Sequence, residues 1–216
     1  MLFKIKNKYL PLLLIAATRQ ECQVILDREN QQLKENEFGL TIFQLTEQVL
    51  LLKTGIGFKI NKKAFYQFLN KLRPALAINF GICGALQDEI KIYENYLIAK
   101  VCQVNAPEID LRAQIYKRII NPNQIKFGSL LTVNQPVLNV IKRKELFQKT
   151  GCQLIDMEGY KVTLALVNHA IPLCIIKQVT DHAKEGAQNL IHMNRSIWQK
   201  KMQKGIHNLI QMLNIE

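Results

Sequence analysis

The chain has 216 residues, 48% of them hydrophobic and 21% charged, and 29 Lys and Arg against 17 Asp and Glu give a formal charge of +12. That length suits one compact domain with a sizeable core, and the composition is globular rather than fibrous or disordered. Five widely spaced cysteines without a C-x-x-C argue against a zinc knuckle or a disulfide framework, and no apolar run reaches the length of a membrane span.

The N-terminal "KIKNKYLPLLLIAAT" reads equally as a signal peptide or as a buried parallel strand over residues 10–17. The "TRQEC" that follows places Glu21 either in the first turn of a helix, where the dipole stabilises an acid, or at a strand end facing a ligand. A second solid apolar block, "QVLLLK", leads into "TGIG". Gly55 and Gly57 begin a dinucleotide fingerprint whose third glycine is Ile60 and whose acid is missing, so a tight strand-to-helix turn is the better reading. In "INKKAFYQFLNKL" the residues Ile60, Ala64, Phe65, Phe68, Leu69 and Leu72 recur at the three-and-four spacing of one helical stripe.

"PALAINF" is a third block, with "GICGAL" behind it as either a turn or a place where a ligand approaches backbone N–H groups. "NYLIAKVCQV" and "GSLLTV" read as two more strands. "IKRKELFQK" is helical, and so is residues 157–169, which stops before Pro172. "QLIDMEGYKV" carries Asp156 and Glu158, both readable as helix-start acids. "IPLCIIKQV" then delivers Thr180 and Asp181, readable as an N-cap or as a carboxylate at a ligand-binding edge. A last helical run over 189–213 repeats Trp198, Met202, Ile206, Leu209 and Leu213 on one side.

Blocks apolar on both faces, alternating with amphipathic helices, predict a three-layer α/β domain around a mixed, mainly parallel twisted sheet, with residues 1–216 as one domain. Ligands bind such sheets at the carboxyl ends of strands. The basic clusters "KIKNK", "IKRKELFQK" and "QKKMQK" have no interleaved aromatics, so a solvated surface is favoured over a nucleic-acid partner. His182 and His192 are too far apart for a helix-face pair, and no metal is expected.

"LLIAATRQEC", "LLLKTGIGFKINKK", "PALAINFGICGAL" and "LIDMEGYKVTLALVNHAIPLCIIKQVTDHA" together resemble the nucleoside phosphorylase and nucleosidase superfamily, in its hydrolase branch. They match its first strand, its "SGIG-K-NA" segment, its "P-x-x-x-IN-GSAGG" strand and its "DMEGAA…GVPFL-IRAISD" signature, in order and over nearly the whole chain. The resemblance favours the N-terminal block as a strand. It implies that Asp181 protonates N7 of a leaving purine and that Glu21 activates the attacking water. It further implies that Glu158 accepts from the ribose hydroxyls, that Met157 packs on the sugar, and that Ile82, Cys83, Gly84, Val137 and Thr180 complete the substrate pocket.

Departures from the pattern bear on the substrate. No "GDP" loop is present and Arg19 is the sole basic residue at the first turn, which favours water over phosphate as acceptor. Ile82 and Cys83 stand where adenine-specific hydrolases have a serine and a small residue, Pro136 and Val137 replace the stacking aromatic, and Lys177 replaces an arginine. Ile82 and the first turn look more like futalosine hydrolases, whereas "GSLLTVNQPV" and "KTGCQLIDMEG" resemble the hopanoid-associated phosphorylases. The expectation is a cytoplasmic, cofactor-free homo-oligomer, dimeric or larger, hydrolysing a 5′-substituted adenosine of the methylthioadenosine or adenosylhomocysteine type. The alternatives are futalosine hydrolysis, phosphorolysis and non-catalytic nucleoside binding.

Overall fold

The computed structural model describes residues 11–26, 37–119 and 125–213. Strand β1 (Leu12–Ala16) is buried throughout and lies parallel between β3 (Val49–Lys53) and β4 (Leu76–Ala85). Being covered on both faces accounts for its solid apolar block and bears out the strand reading of that segment; the basic "KIKNK" lies outside the described residues. A short β2 (Thr41–Gln44) adds an antiparallel edge on β3.

β4 is longer than its apolar block. It continues through the glycines to Ala85, paired in parallel with β9 (Leu173–Asp181) across a register shift at Cys83 and Gly84. "GICG" is therefore strand and not a turn: its small residues fit a closely packed ladder. β9 similarly runs on through Thr180 and Asp181, and the next helix, α6 (Ala187–Met193), is preceded by Gly186 with no side-chain cap. Asp181 is thus not an N-cap.

The remaining strands are β5 (Asn95–Gln103), β6 (Ile109–Asp110), β7 (Lys126–Thr132) and β8 (Leu154–Asp156). β5 pairs with β6, β7 and β9, while β8 pairs with β7 and β4. The path β4–β8–β7–β5–β9 consequently returns to β4, and part of the mixed sheet closes into a ring.

Helix signals explain the flanking elements. Asn61 caps α2 (Lys62–Leu72) by accepting from Ala64 N, and Ala64, Phe65, Phe68 and Leu69 face the core. Asn139 and Gly151 bracket α4 (Val140–Thr150). α5 (Gly159–Val167) packs on β4, β5, β7 and β9. The expected single run at the C-terminal end divides at Asn194 into α6 and α7 (Arg195–Met212), although Trp198, Met202, Ile206, Leu209 and Leu213 are all buried as the periodicity requires. Two short helices, α1 (Arg19–Cys22) and α3 (Arg112–Tyr116), complete the α/β architecture.

Candidate active site

At the carboxyl ends of β1, β4, β7, β8 and β9 lies a cavity of about 290 Å³. Glu21, Ile82, Cys83, Gly84, Val137, Met157, Glu158, Thr180 and Asp181 all line it, so residues from five separate stretches of sequence are brought to one place. Asp156 adds a fourth carboxylate, and Ile56, Leu138, Gln188 and Ile191 form part of the rim. Among the described residues, no group of three His, Cys, Asp or Glu is placed to hold a metal ion.

Glu21 serves local structure and the cavity at once. Its backbone N–H donates to Thr18 Oγ1, and its Oε2 accepts from the amides of Ala17 and Thr18 at 3.1 and 2.8 Å. These contacts form the capping box of α1. The other oxygen, Oε1, accepts from Ile82 N at 2.9 Å, tying the acid to β4. Gly81 makes this approach possible, because a Cβ there would lie 2.5 Å from Glu21 Oε1. Glu21 is therefore a first-turn acid and a residue of the cavity wall at once.

Asp181 ends β9 with little exposure. Its Oδ1 accepts from Ala183 N at 2.7 Å and its Oδ2 accepts from Thr180 Oγ1 at 2.9 Å. Burial pushes its carboxyl above the ordinary aspartate range, although the Ala183 amide and the Thr180 hydroxyl oppose the rise. The turn beyond is braced by buried Arg143, which donates to His182 O at 3.0 Å and reaches Asp88 at 2.8 Å.

Glu158 just precedes α5 and makes no side-chain cap; its Oε1 instead accepts from Gly57 N at 2.6 Å. Burial, with the charge of Asp156 next, pushes its carboxyl up to about 7, against the pull of Lys177 and the Gly57 N–H. Asp156 does take the helix-start role, accepting from Gly159 N, but it also accepts from Thr132 Oγ1 at 2.7 Å and pairs with Lys177. Burial alone would lower the Lys177 ammonium; Asp156, Glu158 and Glu21 outweigh it and hold the group above the ordinary lysine range.

Three contributors were not singled out by sequence reasoning. Asp156 reads as a cap, yet it is the counter-ion of Lys177. Lys161 lies unremarked in the helical stretch after the acids, yet its Nζ donates to Gly57 O at 3.1 Å and to Asn134 Oδ1 at 2.9 Å. Arg143 sits in a run of basic residues, and only its burial separates it from them. The three-residue spacing of Glu158 and Lys161 on one helical face was the available signal for the second.

Comparison with known proteins places the fold and the family. The chain is 23% identical over 194 residues to the 5′-methylthioadenosine/S-adenosylhomocysteine nucleosidase of Buchnera aphidicola subsp. Baizongia pistaciae (strain Bp), covering 78% of this chain and 77% of that protein. In backbone it superposes on the futalosine hydrolase (mutant) of Helicobacter pylori strain 26695 with a TM-score of 0.79 at 15% identity, over 94% and 99% of the two chains. The 5′-methylthioadenosine/S-adenosylhomocysteine nucleosidase from Helicobacter pylori, solved with butyl-thio-DADMe-Immucillin-A, gives 0.79 at 16% identity, over 95% and 99%. The family model of the phosphorylase superfamily matches residues 11–211, nearly the whole chain, and the chain belongs to the phosphorylase superfamily.

Proposed function

We propose that this chain is a nucleosidase that hydrolyses the N-glycosidic bond of a purine nucleoside, acting on 5′-substituted adenosines such as 5′-methylthioadenosine or S-adenosylhomocysteine. The observation that carries the reading is that Glu21 and Asp181 arrive from different strands to line one cavity, with Glu158 lining it as well. Cleavage leaves an oxocarbenium-like sugar, and the purine departs well when its developing negative charge is neutralised. A carboxyl whose affinity for its proton is raised by burial suits that task at Asp181, and such proton transfer typically contributes 10²–10⁴-fold. Glu21 orients and deprotonates the attacking water, and Glu158, beside Met157, receives the ribose hydroxyls. Paired carboxylates divide acid and base roles in the same way in glycoside hydrolysis.

Water is favoured over phosphate because, among the described residues, no Lys, Arg or His lines the cavity, whereas four carboxylates do: Glu21, Asp156, Glu158 and Asp181. A dianionic phosphate would be repelled there. Futalosine hydrolysis is the second reading, favoured by Ile82 and by a Pro136–Val137 wall that offers no aromatic ring.

The chain works as one domain, a reading supported by a continuous sheet and by a main core with residues from β1 to α7. Ile56 and Leu138, 51% and 43% exposed beside the cavity, with Met193 81% exposed on α6, support a homo-oligomer in which a neighbour covers the rim. Five buried free thiols fit the reducing cytoplasm. The test is release of free base from a panel of nucleosides, futalosine included, with and without phosphate. Phosphate-independent release of adenine from 5′-methylthioadenosine is expected; phosphate-dependent turnover overturns the hydrolase reading, and release from no nucleoside overturns catalysis.

A further inference from the structure

The loop from β3 to α2 carries Ile56 to the cavity through a strained path. Gly55, Gly57 and Phe58 all have positive φ, at 78°, 75° and 59°, and for Phe58 that conformation is unfavourable on its own. Backbone bonds from Gly55 N to Ala17 O at 2.9 Å and from Phe58 N to Gly55 O at 3.1 Å hold part of the loop, and α5 grips Gly57 from both sides. Glu158 takes the Gly57 N–H at 2.6 Å, and Lys161, one helical turn further on, donates to the Gly57 carbonyl at 3.1 Å. The same ammonium donates to Asn134 Oδ1 at 2.9 Å, in the loop that supplies Pro136, Val137 and Leu138 to the cavity. One lysine therefore joins two loops that form separate parts of the wall.

From this geometry we infer that Lys161 is a positioning residue for sugar recognition: it fixes Gly57 so that its N–H holds the Glu158 carboxylate towards the ribose hydroxyls, and it sets the gap between the Ile56 loop and the Val137 loop. The inference rests on the reading of Glu158 as the ribose ligand. Lys161 touches no substrate atom in this scheme. With its hydrogen bonds removed, the Gly57 peptide is held less firmly, Glu158 loses a well-placed backbone donor, and the carboxylate turns away from the sugar.

Equilibrium binding of 5′-methylthiotubercidin, in which CH replaces the N7 that must be protonated, tests this without turnover. The probe and its 2′,3′-dideoxy counterpart are titrated by calorimetry into the wild-type chain, Lys161→Met, Lys161→Arg and Asn134→Ala. Lys161→Met is expected to weaken the hydroxylated probe roughly tenfold, the order of one hydrogen bond to a charged group, while the dideoxy compound changes much less. Lys161→Arg, which keeps a donor, restores most of the preference for the hydroxyls, and Asn134→Ala retains it. Equal weakening of both probes, or none, in a Lys161→Met protein that melts like wild type overturns the positioning role. A wild-type chain that binds neither probe overturns the nucleosidase reading itself, and this inference with it.

Discussion

Lys177 Nζ lies 2.9 Å from Asp156 Oδ2, and the two side chains are only 2% and 1% exposed. A charge pair this deep gains stability only when both partners are present, because either ion alone keeps its desolvation cost without compensation. Lys177→Met is therefore expected to lower stability by about 3–5 kcal/mol, measured by denaturant unfolding. Asp156 would then be left beside Glu158 without its ion-pair partner. Lys177→Arg keeps the charge and should lose less, at the expense of crowding near Glu21 and Gly81.

Asp181→Asn preserves size and the hydrogen bond from Ala183 N, so the fold should remain intact by thermal unfolding. The amide cannot deliver a proton to the leaving base. Turnover of 5′-methylthioadenosine is expected to fall by about 10²–10⁴-fold with little change in KM. An unchanged kcat would remove Asp181 from the acid role.

Gly81→Ala tests how Glu21 is placed. The new methyl would meet Glu21 Oε1 at 2.5 Å and approach Lys177 Nζ at 3.4 Å, so the carboxylate must leave Ile82 N. Overpacking of this kind costs about 1–3 kcal/mol, and kcat should fall further than stability alone would explain. Activity assayed well below the melting temperature separates the two effects.

Glu158 makes stability depend on pH in a defined direction. Its carboxyl keeps a proton up to about pH 7 in the folded chain, against an ordinary value of 4.5. Between those pH values the folded state holds more protons than the unfolded one, so stability falls as pH rises through the window. At 1.36 kcal/mol per pH unit the loss attributable to this group approaches roughly 3 kcal/mol. Glu158→Gln should flatten that slope between pH 5 and pH 7 in Tm measurements, and a slope equal to wild type would refute the assignment.

The strands were legible because burial on both faces writes itself as unbroken apolar blocks, as at Leu12–Ala16 and Val49–Lys53. The glycines of β4 were ambiguous because small residues serve turns and tight ladders equally. Only the pairing of Gly81 and Ile82 with Lys177 and Gln178 decides between them. β8 was hidden by its brevity, three residues in a stretch that also reads as a helix entrance. The acids of the site stood out because carboxylates beside apolar blocks are costly to bury. The basic partners Lys161 and Arg143 did not, and Lys177 was marked only by the arginine it replaces, since the chain has 29 Lys and Arg and nothing local marks which few turn inward.

The return of the strand path to β4 bears on how such an enzyme diversifies. β9 is flanked by β4 on one side and β5 on the other, so Asp181 hangs from a strand with no free edge along which to slip. Glu21 is stitched to β4 through Ile82. The groups assigned to bond breaking are thus anchored in a hoop of hydrogen bonds that a single substitution deforms little. The Ile56 and Val137 segments lie outside the hoop and are joined to each other through Lys161. Drift in those two loops can retune which nucleoside enters while the acids keep their spacing, so one chemistry can serve a succession of substrates.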